Sequence, residues 1–167
     1  MKTSLLIVLG VASVLSAAGS ANAATAAQDF VTKASAANEF EIESSKLALE
    51  KSQDRNIKAF AQQMIDDHTK TGQKLRDALS TSTSHAEAKD QLDDKGQKNM
   101  DKLNSLSGDD FNKEYVSEQT SAHKEAVSLF SDYAGSGDDP TLKSFASDTL
   151  PTLKMHLQHV QELKTTH

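Results

Sequence analysis

One glutamate and three histidines, Glu41, His68, His123 and His156, each interrupt an otherwise apolar stripe that recurs at helical spacing. Burying an ionisable side chain costs free energy unless it finds a partner, so four of them on four stripes point to a shared site. A neutral imidazole offers one ring nitrogen as a lone-pair donor. Three imidazoles with one carboxylate therefore suit a divalent transition metal: zinc, copper, nickel or iron. Asp67 adjoins His68 as an additional candidate ligand, and Glu43 and Glu118 are further carboxylates within reach of approaching.

Three readings of this cluster stay open. It is a buried hydrogen-bond network, with Glu41 accepting from one or more imidazoles and locking helix register. Or it is a metal site that sequesters a cation. Or it is a ferritin-like oxidase centre, which wants a Glu-x-x-His pair on each of two helices. The residues three before His68, His123 and His156 are Ile65, Thr120 and Leu153. None is a carboxylate, which argues against the oxidase. His159 stands three residues from His156 but is expected to face outward, and His85 and His167 read as exposed loop and tail positions.

Other chemistries find little support. The chain has no cysteine, which removes thiol nucleophiles, disulfides and thiolate metal sites. No Gly-x-Ser-x-Gly elbow and no phosphate-cradling glycine loop occurs. The formal charge of −6 argues against nucleic acid, whose phosphates need clustered Lys and Arg.

The elements that must carry the four residues follow from apolar periodicity. Helices are expected over about residues 26–52, 54–79, 86–106, 110–134 and 140–164, with a polar loop at 80–84. Asp109 or a neighbour is expected to cap the fourth helix, Asp139 to cap the fifth with Pro140 at its first position, and Pro151 to kink it. At about 1.5 Å per residue, Glu41 and His68 lie roughly 18 and 22 Å from the first inter-helix turn. His123 and His156 lie roughly 21 and 27 Å from the second. All four thus fall near mid-height.

The hairpins also resemble each other at a constant offset of 85 residues. Phe30-Val31 matches Tyr115-Val116, Asp54 matches Asp139, and Ile57-Lys58-Ala59-Phe60-Ala61 matches Leu142-Lys143-Ser144-Phe145-Ala146. The expected fold class is all-α: a ferritin-like four-helix bundle whose two hairpins are joined by a long helical crossover.

Lys2 is the only charge before Asp29, an apolar run spans residues 5–15, and Ala21-Asn22-Ala23 closes it. That pattern is a secretory signal peptide over residues 1–23, leaving 24–167 as one domain. No cysteine follows to take a lipid anchor, and the apolar run falls short of the roughly 20 residues a membrane crossing needs. The mature chain is expected to be soluble outside the cytoplasm.

Three stretches then carry a resemblance: Phe60-Ala61-Gln62-Gln63-Met64-Ile65-Asp66-Asp67-His68, Leu106-Ser107-Gly108-Asp109-Asp110-Phe111 with Tyr115 and His123, and Leu150-Pro151-Thr152-Leu153-Lys154-Met155-His156-Leu157. In this order they resemble the signature blocks of a bacterial family of exported, ferritin-like helical proteins with a domain of unknown function, often labelled outer-membrane or exported proteins. The resemblance covers about residues 28–163. It implies a periplasmic helical bundle in a Gram-negative bacterium, with Glu41, His68, His123 and His156 on the family's recurring polar positions, and it assigns no activity. The expectation is a non-catalytic periplasmic protein of metal handling or envelope stress. Its alternative is a structural or interaction module, and pairing of two copies through a helix face is left open.

Overall fold

The computed structural model describes residues 18–164. Residues 1–17 of the expected leader and His167 lie outside them. Five helices and no strand occur among the described residues: α1 (Ala18–Lys51), α2 (Arg55–Thr81), α3 (Asp94–Ser105), α4 (Gly108–Ser136) and α5 (Pro140–Lys164). No described helix is long and apolar enough to cross a membrane.

Local chemistry sets the hairpin turns. The Asp54 carboxylate accepts from the backbone N–H groups of Asn56 and Ile57 and starts α2. Asp139 does the same for α5 through Leu142 N–H, while its other oxygen accepts from Ser82 Oγ and Thr83 N–H of the crossover. These contacts satisfy donors that a helix start otherwise leaves bare. At α4 the expected Asp109 cap does not occur. Ser107 takes the cap position without a side-chain bond, Asp109 and Asp110 fall in the first turn, and they act there on the helix dipole. The chain enters through Gly108 at φ 57°, a left-handed conformation that glycine adopts without strain. Helix α5 continues through Pro151. The carbonyl that loses its helical donor is that of exposed Ser147, which water can reach.

Four long helices pack pairwise: α1 on α2, α4 on α5, α1 on α4 and α2 on α5. Side-chain pairs give the directions. Phe30 stacks on Tyr133 at 4.0 Å while Ser45 bonds Tyr115 at 2.9 Å, so α1 and α4 run antiparallel. Gln63 meets His159 and Asp67 meets His156, so α2 and α5 do too. The chain must therefore travel the length of the packed helices between α2 and α4.

That crossover departs from expectation. Its helix covers 94–105, not 86–106, and the preceding stretch is non-helical. The cause lies far away in sequence. Gln28 brackets Glu87, accepting from its N–H and donating to its carbonyl, both at 3.0 Å. Ser35 Oγ accepts from Lys89 N–H, and Asp139 holds Thr83. These side chains take the backbone groups a helix would have used. Asp93 then caps α3 through Gly96 N–H.

The core is split in two. One apolar cluster gathers Phe40, Ile57, Phe60, Met64, Leu103, Phe111, Tyr115 and Val160. The other gathers Phe30, Val31, Leu75, Phe130, Tyr133, Leu142, Phe145 and Leu153. Buried polar residues interrupt the stripes where the two clusters part.

Candidate metal centre

All four ionisable residues picked from the stripes are buried: Glu41 is 3% exposed, His68 5%, His123 0% and His156 1%. Each comes from a different long helix. The three imidazoles form a near-equilateral triangle, with ring centroids 5.7 Å apart for His68–His123, 5.6 Å for His68–His156 and 5.4 Å for His123–His156. One ring nitrogen from each lies within 4.8 Å of the other two. Nitrogens on a tetrahedral zinc at about 2.05 Å stand about 3.4 Å apart, so a contraction of about 1.4 Å or less closes the triangle on an ion.

The hydrogen bonds decide which nitrogen is free. His68 Nδ1–H donates to Asn38 Oδ1 at 3.1 Å, His123 Nδ1–H to the Gln119 carbonyl at 2.9 Å, and His156 Nε2–H to Asp67 Oδ2 at 3.1 Å. In each ring one nitrogen is thereby fixed as donor and the other keeps its lone pair. Those others, His68 Nε2, His123 Nε2 and His156 Nδ1, are buried without a partner. An unpartnered buried nitrogen costs about 1–3 kcal/mol. The three rings that carry these nitrogens cluster together, and the carbonyl or carboxylate behind each opposite nitrogen reproduces the outer-shell support that orients metal-bound histidines.

Electrostatics keep the lone pairs available. Burial holds the His68 imidazolium well below its ordinary range, and the neighbouring His123 and His156 add to the effect. Burial likewise lowers His156, against the opposing pull of Asp67. Burial tends to raise the Asp67 carboxyl, yet hydrogen bonds from His156 and Lys70 carry it below its usual value. Both shifts describe one pair: a neutral imidazole donating to an ionised carboxylate. Burial pushes Glu41 upward, opposed by His123 and by a hydrogen bond from Gln119.

Glu41 stands apart from the three close nitrogens. Its Oε1 lies 3.4 Å from His123 Nδ1, the nitrogen already committed to Gln119, and its Oε2 has no partner. Asp67 sits behind His156 at the protein surface. Glu43 and Glu118 do not join the cluster: Glu43 pairs with Lys46 on the outside, and Glu118 binds Asn99. His159 is half-buried, donating to Gln63 and meeting Phe60 edge-on, so it neither faces fully outward nor joins the triangle. His85 is an exposed loop residue, as expected. Sequence reasoning missed Asn38 and Gln119. Asn38 precedes Glu41 by three residues and Gln119 precedes His123 by four, so helical spacing alone placed both beside the cluster.

A family model described as a domain of unknown function (DUF4142) matches residues 12–163. No curated protein and no solved structure matches the chain.

Proposed function

The chain belongs to the DUF4142 family, and we propose that it binds one divalent transition-metal ion through His68, His123 and His156. The observation that carries this reading is the triangle of buried imidazoles, each with one nitrogen left unpartnered and each with one ring nitrogen within 4.8 Å of the other two. A hydrogen-bond network built for stability would have satisfied them. Zinc and copper suit neutral imidazole donors best, with nickel and iron as further members of the class. Asp67, Asn38 and the Gln119 carbonyl hold the ring orientations, and Glu41 stands beside His123 without closing on the ion.

The role that follows is capture of a cation, in metal handling or envelope stress, without redox turnover. Export through a leader at residues 1–23 into the periplasm belongs to the same reading. So does a ferritin-like four-helix bundle, for which the pairing of α1 with α4 and α2 with α5 and the crossing segment between α2 and α4 speak. The alternative, a structural module whose cluster locks register, expects no metal response.

Calorimetric titration with zinc and elemental analysis of the loaded protein test the proposal. One ion per chain is expected, with uptake abolished in the His68→Ala, His156→Ala double variant. Equal uptake by that variant, or none by the parent, overturns it.

A further inference from the structure

We propose that the bound metal keeps one exchangeable coordination position, which opens from the His68–His123 edge of the triangle into an adjoining cavity and takes water or a small anion of up to three heavy atoms. This rests on the metal-binding reading above and asks what the site does beyond holding the ion.

The chain offers three close donors, not four. Among the described residues the group of ligand atoms within 4.8 Å of one another holds His68, His123 and His156 alone. Three protein ligands leave a tetrahedral ion with one open position, the arrangement that separates reactive metal sites from closed structural ones.

Space exists where that position must point. A cavity of about 20 Å³ is bordered by His68, His123 and Glu41 but not by His156. A water needs about 10–15 Å³ on this measure, so there is room for one and for a slim ligand in its place. Asn38 and Thr71 line its polar wall, and the deeper wall is apolar. Glu41 Oε2, buried and without a hydrogen-bond partner, belongs to a residue bordering the same space, where a metal-bound water can donate to it. Ala88 and exposed Asp90 of the crossover also border the cavity.

The internal repeat explains why the space is there. At the offset of 85 residues, Glu41 corresponds to Ala126, His68 to Leu153, His123 to Asn38 and His156 to Thr71. All four counterparts line the cavity. The four residues of the cluster come two from each hairpin and their four counterparts make up the matching position, where a methyl at Ala126 replaces a carboxylate and smaller polar groups at Asn38 and Thr71 replace two imidazoles. The lost volume becomes the chamber beside the ion.

The test loads the full-length protein with Cu(II), verifies one copper per chain by elemental analysis, and adds azide while recording the azide-to-copper charge-transfer band. A saturable band at one azide per copper is expected. Ala34→Leu, which fills the interior wall, is expected to retain copper and weaken azide at least tenfold. Ala88→Trp, on the crossover side of the cavity beside exposed Asp90, is expected to slow azide association by a similar factor. If Ala34→Leu fails to give the parent circular dichroism spectrum, Thr71→Leu takes its place. Copper bound with no azide band overturns the open position and leaves the metal reading standing. An undiminished band in the filled variants overturns the cavity as the route. No copper uptake overturns both proposals.

Discussion

Replacing His68 by leucine should make the metal-free protein more stable and the metal-loaded protein less stable. His68 is 5% exposed, and its Nε2 is buried without a partner. Removing that atom relieves about 1–3 kcal/mol. The change also deletes the bond from Nδ1–H to Asn38, a loss of about 0.5–1.5 kcal/mol, and Asn38 borders a cavity where water can replace it. The net is a gain of about 1 kcal/mol, or about 4 °C in Tm for a domain of this size. Free zinc at about 1,000 times its Kd stabilises the parent by about 4.1 kcal/mol. A 100-fold loss of affinity on removing one of three ligands leaves the variant about 1.4 kcal/mol of that. The order of stabilities therefore reverses, with the parent ahead by about 1.7 kcal/mol. Urea unfolding in chelator and in excess zinc measures both halves. A variant less stable than the parent by more than 1 kcal/mol in chelator refutes the reasoning, because it means the imidazole was already satisfied.

A methyl at Gly72 would stand 3.1 Å from Asn38 Nδ2, so Gly72→Ala should push Asn38 off His68 and weaken zinc about tenfold in a calorimetric titration. Helix propensity adds up to about 1 kcal/mol to metal-free stability, which loss of the Asn38–His68 bond offsets by about 0.5–1.5 kcal/mol, so metal-free stability should change little. Asp67→Ala should cost about 10–100-fold in zinc affinity by freeing the His156 ring to rotate, and Asp67→Asn, which keeps an acceptor for His156 Nε2–H, should cost less. Asp139→Ala should destabilise by about 1–2 kcal/mol, since it removes the α5 cap together with the clasp on Ser82 and Thr83. Burial acts to raise the Asp139 carboxyl, but these hydrogen bonds from Leu142, Ser82 and Thr83 hold it below its ordinary value. Its stabilisation should thus be complete above the unfolded carboxyl range and fade as pH falls through the lower folded value. Urea midpoints from pH 5 downward should show that part of the acid loss in the parent and not in the variant.

The residues at the centre were legible because a buried charge in a helical stripe is conspicuous. Glu41, His68, His123 and His156 broke four periodic patterns, and rise per residue alone put them at one height. The turns at Asp54 and Asp139 were legible for a different reason: a cap is a contact between neighbours in the chain. What escaped depended on distant partners. Apolar periodicity places the start of α3 too early because Gln28, Ser35 and Asp139 claim the backbone of the crossover from more than 50 residues away. Periodicity alone groups Glu41 with the imidazoles as an equal ligand. Its side chain instead meets His123 on the nitrogen facing Gln119, and no spacing rule reveals which side of a ring a carboxylate will approach. The polar supports Asn38 and Gln119 read as ordinary short polar residues until the rings they orient were in place.

A crystal structure of the zinc-loaded protein, with anomalous scattering measured across the zinc edge, shows whether the three imidazoles hold the ion. One anomalous peak is expected, bonded to His68 Nε2, His123 Nε2 and His156 Nδ1, with Asp67, Asn38 and the Gln119 carbonyl still behind the rings. A triangle that stays open while zinc gathers on exposed carboxylates would mean that His68, His123 and His156 are not a metal site.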